Sequence, residues 1–309
     1  MVKYILKRLL MLIPVVIGIT FLIFMIMSVA PGNIAALTAG SDATLEDIQA
    51  KEHELGLDRP VIVQYVDYMS HVVRGDLGAS WYNGYQVIDE FKMRLPNTLK
   101  LGCFGMLIAA VIAIPLGITA AVHQYGVLDI TTLIGSMIFA SIPAFWLGLL
   151  LQLLFCIKMS IFPATGSESF VHFILPAITL SALHTAWQTR TSRTYMLETI
   201  KQDYIRTARA KGASEIRVIT RHALRNAMIH ILTSLGTTFA SLLGGTVVIE
   251  TVFGIAGTGS MLINAVKMRD TPVVVGVVMV ISIFVGIVNL LVDLLYAAVD
   301  PRVKLGYVS

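Results

Sequence analysis

Six stretches of this chain stay apolar for about as long as a helix needs to cross a bilayer, and no other feature constrains the fold as tightly. Crossing the hydrocarbon core takes about 20 apolar residues. The stretches are residues 9–30, 98–122, 130–157, 173–189, 228–251 and 273–299. Together they hold three Lys, Arg, Asp or Glu residues: Lys100, Glu250 and Asp293. Prolines and glycines recur inside them (Pro14, Pro115, Pro143, Pro176, Gly244, Gly245). Lipid tolerates these where neighbouring helices satisfy the freed backbone groups. Composition supports this reading, with 56% hydrophobic and 14% charged residues. Soluble domains run nearer 45–50% and about 25%. A chain of 309 residues cannot enclose that much apolar side chain in a core of its own, so lipid must be part of its solvent. A disordered chain and a disulfide scaffold are excluded, and an ordinary cytosolic enzyme is disfavoured. Cys103 and Cys156 lie in apolar runs and have neither metal-ligand nor disulfide spacing.

The first stretch has a basic start at Lys3, Lys7 and Arg8. Its apolar run is longer than a signal core, and Pro31 follows where a cut would fall, so we read it as a retained span. Orientation follows from Lys and Arg. Residues 1–8, 190–227 and 300–309 carry 14 of the 23 basic residues. That places both termini in the cytoplasm. The short loop 123–129, assigned to the same side, holds no Lys or Arg.

Two loops are more than connectors. The outer one, 31–97, has ten acidic and five basic residues and reads as helices. Thr44 caps a first helix that Gly56 stops, and Pro60 opens a second that runs to Arg74 before Gly75. A third piece spans 87–95 before Pro96. The loop is either a solvated lid or a docking surface or gate. The inner loop, 190–227, is strongly basic. A helix through Lys211 ends at Gly212, the residue type that accepts a left-handed cap. Ser214 caps the next helix, with Glu215 in its first turn. From charge alone this helix–turn–helix is a positive-inside anchor, a helix lying on anionic lipid, or a nucleic-acid reader, and its position between two spans argues against the last, so no nucleic-acid partner is expected. The lipid-surface reading is the simplest of the three.

The residues themselves carry a resemblance. Ala208-Arg-Ala-Lys-Gly212, followed after nine residues by His222-Ala-Leu-Arg225, resembles the cytoplasmic "EAA" loop of ATP-binding-cassette importer permeases. Leu55-Gly-Leu-Asp-Arg-Pro60, Arg74-Gly-Asp-Leu-Gly78, Leu95-Pro-Asn-Thr-Leu99, Glu250-Thr-Val-Phe-Gly254, Arg269-Asp270, Asn289–Tyr296 and Asp300-Pro-Arg302 extend it along most of the chain. In this order and spacing they resemble the dipeptide, oligopeptide and nickel permease family. Thr207 stands where the general pattern has an acid, and Arg225 where it has proline. Ala256 and Thr258 depart from the usual outer-loop residues.

The resemblance implies an all-α membrane protein with six transmembrane helices and a type I importer permease fold. Its parts would be a first span (1–30), an extracytoplasmic helical loop (31–97) and a core permease domain (98–309). It implies a second homologous permease, two ATPase subunits, an extracytoplasmic substrate-binding protein and a place in the bacterial inner membrane. The chain would import peptides, with nickel or a metal chelate as the family alternative. ATP and magnesium would sit on the partner subunits, since the chain has no Gly-x4-Gly-Lys-Ser/Thr loop. Ala208, Arg209, Ala210, Lys211, Gly212, Ala213, Ser214 and Arg217 would couple it to the ATPases.

Asp293 shares a helix face with Asn289 and Tyr296. It reads either as a hydrogen-bonded structural carboxylate or as a proton-coupling group. Proton coupling would suit an ion-driven secondary transporter, but no internal repeat supports that class. Glu250 precedes a glycine-rich run that reads as a re-entrant outer turn helping to gate the path, rather than as a phosphate loop. Gly244 and Gly245 read as sites of close helix packing. The scattered histidines and methionines do not argue for a metal site.

Overall fold

The computed structural model describes residues 2–40 and 42–299, with side chains from 4 to 294. The Asp300-Pro-Arg302 motif and the C-terminal end lie outside the described residues, as does the Tyr296 side chain. Among the described residues the regular elements are all helices, joined by turns and loops, and the one β contact is an isolated bridge from Ala79 to Gln86. It divides into two compact units. One comprises residues 2–98 and 256–287, the other 99–255 with residues from 288 onward.

The first unit begins with α1 (Val2–Val29). Its Val16, Thr20 and Phe24, four residues apart on one face, are buried, whereas Leu10, Ile13, Leu22 and Ile26 point outward. Asn33 caps α2 (Ile34–Ala39), accepting from the N–H groups of Ala35 and Ala36, and donates to Glu52 on α3 (Leu45–Glu54) at 2.6 Å. The start of α3 is as expected. Thr44 and Asp47 form a reciprocal capping box, and the Thr44 groups hold the Asp47 carboxyl below its usual range. Gly56 adopts φ +67° just beyond the helix. Then α4 (Val61–Val73) begins after Pro60 and stops at Arg74, with Gly75 at φ +87°. Tyr65 of α4 plugs into α1. Its hydroxyl lies 3.0 Å from Thr20 Oγ1 and donates to the Ile17 carbonyl, and its ring meets Phe24 edge-on at 5.5 Å.

Next, α5 (Val87–Val122) runs unbroken through Pro96, so 87–95 is not a separate piece. The groups just beyond Pro96 are held: Asn97 donates to the Ala256 carbonyl at 2.9 Å, and Thr98 Oγ1 accepts the Thr258 N–H at 2.8 Å. From Gly102 onward its buried face is small: Gly102, Gly105, Ala109, Ala113, Gly117, Ala120. Other helices can therefore approach the α5 backbone closely. The expected third span, 130–157, is two helices, α6 (Val127–Ser141) and α7 (Ala144–Leu151), the latter continuing as a π-helix to Lys158. They meet at 94° beside Pro143, which has no N–H to offer and disfavours helix in the residue before it.

The expected fourth span, 173–189, lies inside α8 (Val171–Ile200). This helix continues into a polar stretch holding Arg190, Arg193 and Glu198, and it packs against α6, α7 and, later in the chain, residues 224–252. By length and apolarity four helical segments can cross a membrane: Tyr4–Val29, Val87–Val122, Glu215–Val252 and Thr271–Leu294. A fifth is counted if α6 and α7 form one span. The count of six is therefore not reached on this measure.

Beyond α8 come α9 (Asp203–Ala210), α10 (Glu215–Arg217), a π-helical stretch (Val218–Ala223) and α11 (Leu224–Val252). The chain closes with α12 (Thr258–Lys267) and α13 (Thr271–Val299). On α13, Gly276 and Gly286 face Val87 and Leu12 so closely that a Cβ would sit 2.9 and 2.3 Å away.

Candidate coupling surface and polar sites

The stretch 201–223 is a sharp elbow. Gly212 adopts φ +78° and donates to the Arg209 carbonyl at 2.9 Å. A Cβ there would meet nothing within 4 Å, so glycine is required for its left-handed backbone and not for space. The elbow is bolted down from inside. Ile205 and Val218 are fully buried in one cluster with Ala121, Met196 and Ala223. Arg209 closes the turn by a fork onto Glu215, with contacts of 2.6 and 3.1 Å.

Several expected roles shift in this geometry. Ser214 stands at the N-cap with φ −62° and ψ 149°, but its side chain makes no capping bond; the Arg209–Glu215 fork braces the turn instead. Ala208 and Ala213 are half-buried against the Ile205 cluster. Their small size serves the elbow's own packing, while Ala210 faces outward. Arg209 is engaged locally, while Lys211 and Arg217 are exposed, as are Arg206, Arg221 and Arg225. Thr207 turns its hydroxyl back onto the Asp203 carbonyl at 3.0 Å. A helix runs through Arg225 without the kink a proline would impose. One residue stands out that the sequence did not flag: Ile216 of α10, 77% exposed. It stands between Glu215 and Arg217, just before Val218-Ile219, so the sequence does not set it apart from its buried neighbours.

The intramembrane groups are dispersed. Glu250 is fully buried near the end of α11, and its carbonyl accepts the Ile255 N–H at 2.9 Å. The glycine-rich run turns at Gly254, φ +60°, into α12. Asn289 and Asp293 share one face of α13, both half-buried. A Cβ on Gly244 would meet nothing within 4 Å, and one on Gly245 only Leu180 at 3.5 Å, so neither is a close crossing within this chain. Gly102, Gly105 and Gly117 supply those crossings instead. In the first unit, Asp270 is buried and accepts hydrogen bonds from the Ser80 hydroxyl and, at 3.1 Å, from the Trp81 N–H. The Arg269 guanidinium donates to the Pro31 carbonyl. The Arg269-Asp270 motif is thereby tied to the long outer loop, a pairing across some 190 residues that no local pattern reveals.

Comparison with known proteins agrees with this architecture. The family model described as "Binding-protein-dependent transport system inner membrane component" matches residues 113–305, and the corresponding N-terminal model matches residues 1–102. The glutathione transport system permease protein GsiC of Salmonella choleraesuis is 39% identical over 304 residues, covering 98% of this chain and 99% of the relative. GsiC of Escherichia coli K12 is also 39% identical over the same shares. A chain of the inward-facing MetNI methionine ABC transporter superposes with a TM-score of 0.58 at 19% identity, covering 69% of this chain and 97% of its own. The chain belongs to the binding-protein-dependent transport system inner membrane component family: it is an all-helical, multi-pass permease subunit of an ABC importer, and not an enzyme.

Proposed function

We propose that this subunit forms half of a path for short peptides and is driven through the elbow at 203–226. The observation that carries the reading is the elbow itself: an exposed, basic turn set by Gly212, with an exposed isoleucine, Ile216, in the helix that follows. Lys211 and Arg217 offer charge-assisted hydrogen bonds to an ATPase groove, and Ile216 offers an apolar knob. Ala210 permits close approach at the rim. Ala208, Ala213, Ser214 and Arg209 set the shape presented. Closure of two ATPases around ATP then displaces the elbow and rocks the helices between two packed states. A second, related permease supplies the other half of the path, and an extracytoplasmic binding protein delivers the cargo. Both termini lie in the cytoplasm, by the distribution of Lys and Arg. Peptide cargo is favoured over nickel because a relative 39% identical over nearly the whole chain is a glutathione permease.

The test is Gly212→Val in the purified complex. A valine cannot hold this backbone without strain. Binding-protein-stimulated ATPase activity and uptake should both be lost while the complex still assembles in the membrane. Stimulation equal to wild type would refute the lever. Competition of labelled dipeptide uptake by glutathione, other peptides and nickel salts would assign the cargo.

A further inference from the structure

The connection between α5 and α6 carries no Lys or Arg, and the acid that follows it in the first turn of α6, Asp129, is not at the surface. Asp129 is 1% exposed. Its carboxylate accepts from Arg193 Nε at 2.5 Å, from Arg193 Nη2 at 2.7 Å and from the Tyr125 N–H at 2.9 Å. Tyr125 has φ +63°, a conformation that costs a side-chain-bearing residue and persists where the surroundings fix it. The carboxylate thus holds the turn, and α8 holds the carboxylate.

The same stretch of α8 is gripped from two further sides. A Cβ on Gly117 of α5 would lie 2.6 Å from Ser192 Cβ and 2.7 Å from the Thr189 carbonyl oxygen. Gln188, fully buried, accepts from Ser234 of α11 at 3.0 Å. Residues 188–193, under two helical turns, therefore fix α5, α6 and α11 at one level. Arg193 lies ten residues before the start of α9.

A buried ion pair is a poor source of net stability, because apolar residues of similar size usually hold as well. What a bidentate fork adds is direction. We propose that Arg193 and Asp129 are a positioning pair for transport. The fork makes α6 turn with α8, so that displacement of the elbow reaches the bent α6–α7 pair and is not absorbed in the turn at 123–126. This rests on the coupling role proposed above for the elbow.

The test uses the complete importer, reconstituted in liposomes with its ATPases and binding protein. In one subunit Asp129→Leu and Arg193→Met are combined, which removes both charges together and leaves the Tyr125 N–H, on a residue 80% exposed, to water. Stimulated ATPase activity and the melting temperature stay near wild type, while cargo moved per ATP falls by about tenfold. A wild-type ratio overturns the proposal and leaves the pair as packing. Should that pair of changes fail to assemble, Asp129→Asn with Arg193→Gln carries the same readout, and a wild-type ratio there overturns the proposal equally. A photoreactive residue at position 216 separates this proposal from its premise. If it does not cross-link to the ATPase, the elbow assignment falls and this inference with it. Cross-linking together with an unchanged ratio removes this inference alone.

Discussion

Two arginine–carboxylate forks brace the same unit, and they differ in what surrounds them. Arg209 and Glu215 close the elbow with side chains 41% and 56% exposed. Arg193 and Asp129 join α8 to the α5–α6 turn with side chains 17% and 2% exposed. The bonds are alike in length and number; the solvent is not. At the elbow, water replaces a lost partner, so its shape depends chiefly on Gly212 and on the buried Ile205 and Val218. At the inner fork nothing replaces a lost partner, so the geometry is fixed by the charges themselves. An exposed turn can be re-formed when disturbed, whereas the buried joint cannot.

The comparison breaks most easily at the buried fork. Arg193→Ala alone leaves the Asp129 carboxylate stranded, a loss of about 3–5 kcal/mol. The melting temperature of the purified complex should drop clearly; an unchanged melt would place Asp129 in water and erase the contrast. Gly117→Ala acts on the same joint by crowding. Its Cβ must displace the α8 backbone, at a cost of about 1–3 kcal/mol, visible as faster amide exchange around residues 189–193; protection equal to wild type would mean that the helices part freely. Glu215→Gln should have the smallest effect, leaving stability unchanged and insensitive to salt. A marked destabilisation there would show that the two forks are equivalent after all.

What the sequence made legible was local. Gly212 announced a left-handed turn because a glycine followed by Ser214 and Glu215 has few other meanings in a basic helical stretch. Thr44 with Asp47 announced a cap for the same kind of reason. What stayed hidden depended on distant partners. Asp129 read as the end of a bare loop, since its arginine lies 64 residues on. Asp270 gave no sign of Ser80. Pro96 looked like a stop, yet α5 passes through it, and the Asn97 and Thr98 side chains just beyond are tied to residues 256–258, which no local pattern shows. The elbow's alanines read as contact residues from size alone, whereas two of the three face the elbow's own core. Span counting is least decisive at α8, where the apolar run is short and the helix continues into polar sequence that it partly buries against its neighbours.

The 94° bend beside Pro143 has a consequence for where water reaches. A helix that stops at Ser141 leaves its final carbonyl oxygens without the amides of a following turn. Hydrocarbon cannot solvate them. Those oxygens therefore need water or another polar partner partway along the 127–158 stretch, a demand that an unbroken helix would not make.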